Sequence, residues 1–265
     1  MKTSRHITTT LVCLAASLAS GTSQTTEPTV DPSPSYYSTG PQTRDGIGKY
    51  YMGREIARAI GGHGAIQWLE RPEREQEESP DEVVANLELN PGDHVADIGS
   101  GSGYFTFRIA EKIPDGKIYA VDIDQPMLDF IADRAEERQM KNITPHMGTL
   151  TDTRLPENSI DLVLIVDAYH EFSHPREMMS SIVKALKPGG RLVQLEYRKE
   201  DISIPIKPLH KMSQKQVVKE LDAVGLEHVE TRDFLDLQHF MIFRKPDTPK
   251  HSENSEATSS PPSSK

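Results

Sequence analysis

Between His94 and Tyr104 the chain reads His-Val-Ala-Asp-Ile-Gly-Ser-Gly-Ser-Gly-Tyr, a short apolar run that breaks into glycines at alternate positions, Gly99, Gly101 and Gly103. Glycine accepts positive φ and has no Cβ, so backbone N–H groups here can approach a ligand closely, with Ser100 and Ser102 adding hydroxyls between them. A glycine-rich turn alone carries little, because loops collect glycine for conformational reasons. Asp122 gives it content: it lies 23 positions beyond Gly99, at the end of the next apolar segment. An acid so placed can accept hydrogen bonds from both ribose hydroxyls, which points to a nucleoside-containing ligand. Dinucleotide loops require Gly-x-Gly-x-x-Gly. Counted from Gly99, the third position is Tyr104, whose bulk opposes close packing of a helix on the sheet; the spacing here is Gly-x-Gly-x-Gly, preceded by Asp97.

A second group of reactive residues follows the apolar run Ile160 to Val166, which delivers Asp167-Ala168-Tyr169-His170-Glu171-Phe172 to the same edge. His170 is the candidate general base, since imidazole titrates near neutrality, and Glu171 would orient it or bind a cation. The bland alternative is a loop-capping histidine beside a solvated carboxylate. Glu196, Tyr197, Arg198, Glu200, Lys207, His210 and Lys211 cluster after a later strand, where a solvated loop is the safer reading. His170, His210 and His239 with Glu171 have the residue types of a metal site, but their spacing prescribes no geometry, and the sequence assigns no metal.

The elements that must position these residues alternate between apolar strands and amphipathic helices, the pattern of a parallel sheet with crossover helices. Strands are expected at 95–98, 117–121, 143–147, 160–166, 191–196, 228–232 and 239–243. Leu128, Ile131, Ala132 and Ala135 fall on one helical face, with Asp124 as its expected cap; Ser213 with Gln216 caps another helix. Ser79-Pro80-Asp81-Glu82 has the form of a capping box. Tyr50, Tyr51, Ile56, Ala57 and Ile60 predict a short helix, placing a helical cap over 49–79, and the charge run Glu73 to Glu78 predicts a solvated face.

The 265 residues fit one sizeable domain plus tails. A net charge of −10 argues against a nucleic-acid surface, which needs clustered Lys and Arg. Residues 1–21 follow the charged, apolar, small-residue order of a signal peptide, with Lys2 and Arg5 before Leu11 to Ala19. This predicts export and a mature chain without a stable membrane span, the apolar run being too short. The only cysteine, Cys13, lies inside that segment, so a processed chain would hold no disulfide or thiol nucleophile. Residues 22–48 predict a disordered linker and 246–265 a disordered tail, leaving 80–245 as the main domain.

These motifs together resemble the class I S-adenosylmethionine-dependent methyltransferases. The residues that carry the resemblance are Val95 to Gly103, Val121-Asp122-Ile123-Asp124, Leu155-Pro156 ahead of Asp161 to Val166, and Leu186-Lys187-Pro188-Gly189-Gly190. The last of these also resembles quinone-biosynthesis methyltransferases. The resemblance implies a Rossmann-like three-layer αβα sandwich whose mostly parallel seven-stranded sheet ends in an antiparallel strand. It also implies S-adenosylmethionine as cofactor, its methionine moiety on Asp97 and the glycine loop from Gly99 to Tyr104, its ribose on Asp122 and one adenine face on Ile123. Many relatives carry Gly-Asp after the third strand, whereas Gly148 is followed here by Thr149; either Asp152 or Thr149 itself is expected at the adenine. Asp167 is expected beside the sulfonium. The implied activity is methyl transfer to a small-molecule acceptor, with no nucleic-acid partner and an undetermined oligomeric state. The alternative is a nucleoside-binding or scaffolding protein of the same fold without turnover; a nicotinamide oxidoreductase is disfavoured by Tyr104.

Overall fold

The computed structural model describes residues 36–60 and 65–247. Segment 1–21, read as a signal peptide, and most of both segments expected to be disordered lie outside the described residues. The described residues begin at Tyr36, inside the segment read as linker, and already include a strand at Tyr37–Thr39.

Seven strands form the main sheet: β4 (His94–Ile98), β5 (Lys117–Asp122), β6 (Ile143–Met147), β7 (Ile160–Val166), β8 (Leu186–Tyr197), β9 (Glu227–Arg232) and β10 (Gln238–Arg244). Their order is β6-β5-β4-β7-β8-β10-β9. Pairing is parallel from β6 to β8, whereas β10 runs antiparallel to both β8 and β9. The Rossmann-like sheet with an antiparallel last strand is therefore present. The near-continuous apolar run of β7 follows from burial on both faces: Leu162 and Leu164 enter one core cluster, Val163 and Ile165 the other. Helices α3 (Pro80–Asn86), α4 (Tyr104–Lys112) and α5 (Gln125–Glu137) cover the first face; α6 (Pro175–Ala185) and α7 (Gln214–Asp222) cover the second.

Chain order reverses at β4, whose neighbours are β5 and β7. Open α/β sheets bind ligands at such a switch point, outside the carboxyl ends of the strands. The glycine loop, Asp122 and Asp167 follow the ends of β4, β5 and β7.

The amino-terminal part departs from the expected helical cap over 49–79. β1 (Tyr37–Thr39), β2 (Gly46–Tyr51) and β3 (Arg54–Ala57) form an antiparallel sheet; among the described residues of this part, α1 (Ile66–Leu69) and α2 (Arg74–Glu78) are helical. Met52 and Gly53 both adopt positive φ, the backbone demanded by the tight hairpin turn whose twist matches its strands. Arg54 anchors the hairpin through a buried pair: its Nε donates to Glu220 of α7 at 2.7 Å and its Nη1 to the His170 carbonyl at 3.2 Å. Tyr169 Oη donates to the same Glu220 at 2.7 Å.

Two expected caps differ. Ser79 is left-handed and Asp124 is extended, and neither side chain bonds its helix end; Ser213 does accept from the Gln216 N–H at 3.2 Å.

Candidate functional site

The glycine loop is held on its neighbour strand by the residue expected there. Asp122 Oδ2 accepts from the Gly101 N–H at 2.9 Å, while Oδ1 accepts from the N–H groups of Ile123 and Asp124 at 2.7 and 3.0 Å. Gly99 and Gly101 both adopt left-handed backbone, φ +72° and +52°, where a side chain is strained. Space is also lacking: a Cβ on Gly99 would lie 2.8 Å from that of Ala168, and one on Gly101 would lie 2.9 Å from Leu69. At these two positions the loop thus presents backbone, without a side chain, toward a cleft.

That cleft encloses about 880 Å³ and runs from Asp97, the loop and Asp122 to Asp167, His170, Glu171 and His210. The volume lies toward the upper end of the roughly 300–1,000 Å³ typical of ligand sites. Ile60, Trp68, Leu69, Ile123, Leu150 and Ile206 give it an apolar wall.

Among the residues predicted for the cofactor, Asp97, Gly99, Ser100, Gly101, Ser102, Tyr104, Asp122, Ile123, Thr149 and Asp167 line this cleft. Gly103 and Asp152 do not. Gly103 turns toward Phe107 and Ile131 under the loop, and Asp152 Oδ1 is drawn away by Arg154 N–H and Ser181 Oγ at 2.7 and 2.8 Å. Thr149 keeps its place, but its hydroxyl accepts from Asp152 N–H at 2.9 Å and so serves the turn first. Tyr104 Oη donates to Glu75 and Ser102 Oγ to Glu70, at 2.8 and 2.5 Å, tying both residues to the segment above.

Three carboxyls in the cleft are energetically unsettled. Burial pushes Asp97 from 3.8 to about 6, against a hydrogen bond from Thr106 and the charge of Arg74. Burial also raises Asp122, opposed by its backbone donors. Asp167 is driven well above the carboxylate range by burial, then by the charges of Glu78 and Glu196. Its Oδ2 accepts from Gln238 at 2.6 Å, while Oδ1, like Ser100 Oγ, is buried with no hydrogen-bond partner among the described residues. A cationic, polar ligand would relieve the charges and satisfy these atoms. S-adenosylmethionine carries both a sulfonium and an ammonium, so the site fits this cofactor.

At the other end, His170 is 2 % exposed on the turn after β7. Its Nδ1 lies 2.7 Å from Glu196 Oε2 of β8, and its Nε2 lies 3.1 Å from His210 Nδ1. Glu196 therefore orients His170, a role expected of Glu171. Glu171 Oε1 instead faces His210 Nδ1 at 3.2 Å. His239, expected as a possible third histidine, is turned to Glu200 at 2.9 Å and stands outside the group.

Two functional features were missed from sequence. The charge run is a solvated face only in part: Glu73, Glu75, Gln76 and Glu77 are exposed, whereas Arg74 and Glu78 are buried, paired at 2.8 Å, and line the cleft. Their separation of four residues, behind Trp68-Leu69, is the signal that could have revealed them. His210 was assigned to a solvated loop, although a 3-10 turn at Pro208–His210 buries it beside His170.

Residues 95–190 match a family model described as a methyltransferase domain. The demethylmenaquinone methyltransferase of Symbiobacterium thermophilum is 36% identical over 120 residues, 44% of this chain and 48% of that protein. The mitochondrial 2-methoxy-6-polyprenyl-1,4-benzoquinol methylase of Caenorhabditis elegans is 29% identical over 133 residues, 49% of this chain and 46% of the relative. The chain thus spans about half the length of these curated relatives. Among solved structures, a SAM-dependent methyltransferase from Aquifex aeolicus superposes with a TM-score of 0.66 at 21% identity, covering 70% of this chain and 99% of that one. At that identity the likeness bears on the fold alone.

Proposed function

Because residues 95–190 match a methyltransferase-domain model, we propose that this chain is a class I S-adenosylmethionine-dependent methyltransferase that transfers the cofactor's methyl group to a small, largely apolar acceptor bearing a hydroxyl. One observation carries this reading: a single cleft joins the glycine loop and Asp122 to the buried His170–Glu196 pair. The relatives named for quinone-pathway substrates point to the same acceptor class, a hydroxylated ring with an apolar body.

In this proposal Asp122 binds the ribose hydroxyls, the loop N–H groups and Asp97 hold the methionine end, and Ile123 packs on the adenine. Bound there, the cofactor supplies an electrophilic methyl group and is left as the neutral thioether after transfer. Much of the rate would come from holding donor and acceptor in line. The acceptor hydroxyl loses a proton, which His170 would receive. Glu196, facing Nδ1, favours the tautomer with its lone pair on Nε2, the nitrogen that lies 3.1 Å from His210 Nδ1. The apolar wall excludes water and receives the acceptor's body.

The test is turnover. Purified protein is mixed with S-adenosylmethionine and a panel of hydroquinones and substituted phenols, and release of S-adenosylhomocysteine is followed. Acceptor-dependent release supports the proposal. Tight binding of both cofactor forms with no release across the panel would favour the non-catalytic alternative.

A further inference from the structure

His170, Glu171 and His210 come from two separate turns, yet one ligating atom of each faces the same point. His170 Nε2 and His210 Nδ1 are 3.1 Å apart, His210 Nδ1 and Glu171 Oε1 3.2 Å, and His170 Nε2 and Glu171 Oε1 3.8 Å. A triangle with these sides has its centre about 2.0 Å from every corner, within the roughly 2.0–2.2 Å that imidazole nitrogens and carboxylate oxygens keep from zinc.

Hydrogen bonding alone satisfies this arrangement poorly. An ionised Glu196 only accepts, so neutral His170 places its proton on Nδ1 and its lone pair on Nε2. Glu171 Oε1 is likewise an acceptor. His210 Nδ1 then has at most one proton to divide between two acceptors at comparable distance. A divalent cation would satisfy all three atoms together and balance the charge of Glu171 and Glu196.

The surroundings are those of a supported metal ligand. His170 is fixed through its far nitrogen by a fully buried carboxylate, the arrangement that sets tautomer and ring direction at metal-bound histidines. Glu196 is itself held, its Oε1 accepting from Gln194 Nε2 at 3.2 Å and from the His170 N–H at 3.3 Å. The Ile60 N–H donates to Glu171 Oε1 at 3.1 Å and steadies the third ligand.

We propose that His170, Glu171 and His210 form a binding site for a divalent first-row transition cation, best matched by zinc, inside the cleft. Two imidazoles and one carboxylate leave a four-coordinate ion one further position. All three residues line the cleft, so that position is open to a ligand within it. Resting on the methyl-transfer reading, the ion would occupy the His170 Nε2 lone pair, so that with metal bound the ion, in place of His170 as base, would take the acceptor's hydroxyl oxygen and favour its ionised form. Metal binding itself is independent of that reading.

The test uses the full chain without a histidine tag, stripped with chelator, desalted and titrated with zinc. Metal content and affinity are measured, and cobalt substitution reports the geometry through its visible absorption. Wild type should retain about one ion per chain with a four-coordinate cobalt spectrum. His210→Ala should lose retained metal and the spectrum, and Glu196→Gln should weaken zinc by roughly 10–100-fold, the usual effect of removing a ligand's support. His228→Ala, on the edge strand, should match wild type. Binding of S-adenosylhomocysteine by each variant confirms folding. Failure to retain zinc in a protein that binds S-adenosylhomocysteine would overturn the proposal while leaving methyl transfer standing; so would equal zinc affinity in wild type and His210→Ala. Stoichiometric zinc lost on His210→Ala, in a protein without methyl transfer, would support the metal site and count against the proposed function.

Discussion

Asp97 lets the cost of holding a negative charge ready for a cation be measured. It is 4 % exposed, and burial lifts its carboxyl from 3.8 to about 6. The folded pKa therefore lies above the unfolded one, and between about pH 4 and 6 the folded chain binds more protons than the unfolded chain. Stability from this group accordingly falls as pH rises through that window, and the full deficit is present above about pH 6. At about 1.4 kcal/mol for each tenfold change in proton affinity, the ionised carboxylate costs the unliganded fold about 3 kcal/mol. Asp97→Asn cannot ionise and can still accept the Thr106 hydroxyl, which now donates to Oδ2 at 2.6 Å. The variant should melt roughly 6–12 °C above wild type at pH 7.5, at roughly 2–4 °C per kcal/mol for a domain of this size. The gain should shrink to nothing near pH 4, where the wild-type carboxyl is protonated as well. Calorimetric titration of the same variant with S-adenosylmethionine should show binding weakened by about 1.5–3 kcal/mol, the usual worth of a hydrogen bond to a charged group. Thermal melts of the unliganded proteins at pH 4, 5.5 and 7.5 decide the matter. A variant less stable than wild type at pH 7.5, or a gain that ignores pH, would refute the reasoning.

Asp122→Ala should weaken binding of S-adenosylhomocysteine by about 1–3 kcal/mol, because the Gly101, Ile123 and Asp124 N–H groups lose their acceptor along with the ribose; unchanged affinity by calorimetry would remove Asp122 from the site. His170→Ala should leave that affinity within a few-fold of wild type while turnover drops by roughly 10²–10⁴, and full activity would end the role given to His170. Arg54→Ala should cost about 3–5 kcal/mol in denaturant unfolding, since it strands buried Glu220 without its partner; a loss below about 1 kcal/mol would show that the pair is solvated or replaceable.

The parts of the site readable in advance are those encoded within one βαβ unit. The loop from Gly99 to Gly103 and Asp122 have a spacing fixed by one strand, one helix and the next strand, so local sequence suffices. The histidine cluster depends on long-range topology. His170 and His210 are 40 residues apart, brought together because β7 and β8 are neighbours and the segment beyond β8 folds back over the sheet edge. Glu196 was visible as a strand-end acid, but only pairing between β7 and β8 aims it at His170. The amino-terminal hairpin was misread for another reason. Tyr50, Tyr51, Ile56 and Ala57 satisfy a helical period by chance, whereas the decisive signal was Met52-Gly53 between two short runs, a two-residue turn with positive φ.

The tie from Arg54 to Glu220 and to the His170 carbonyl has a practical corollary for anyone trimming this protein. A fragment cut to the stretch shared with its relatives, residues 95–190, would retain the cofactor loop and His170. It would discard Glu196, His210 and Glu220, together with the hairpin strut that steadies the turn bearing His170. Such a piece would keep a handle for the nucleoside and surrender part of the far wall of the cleft, so under the proposed function the determinants of the acceptor would extend beyond the segment that matches the family.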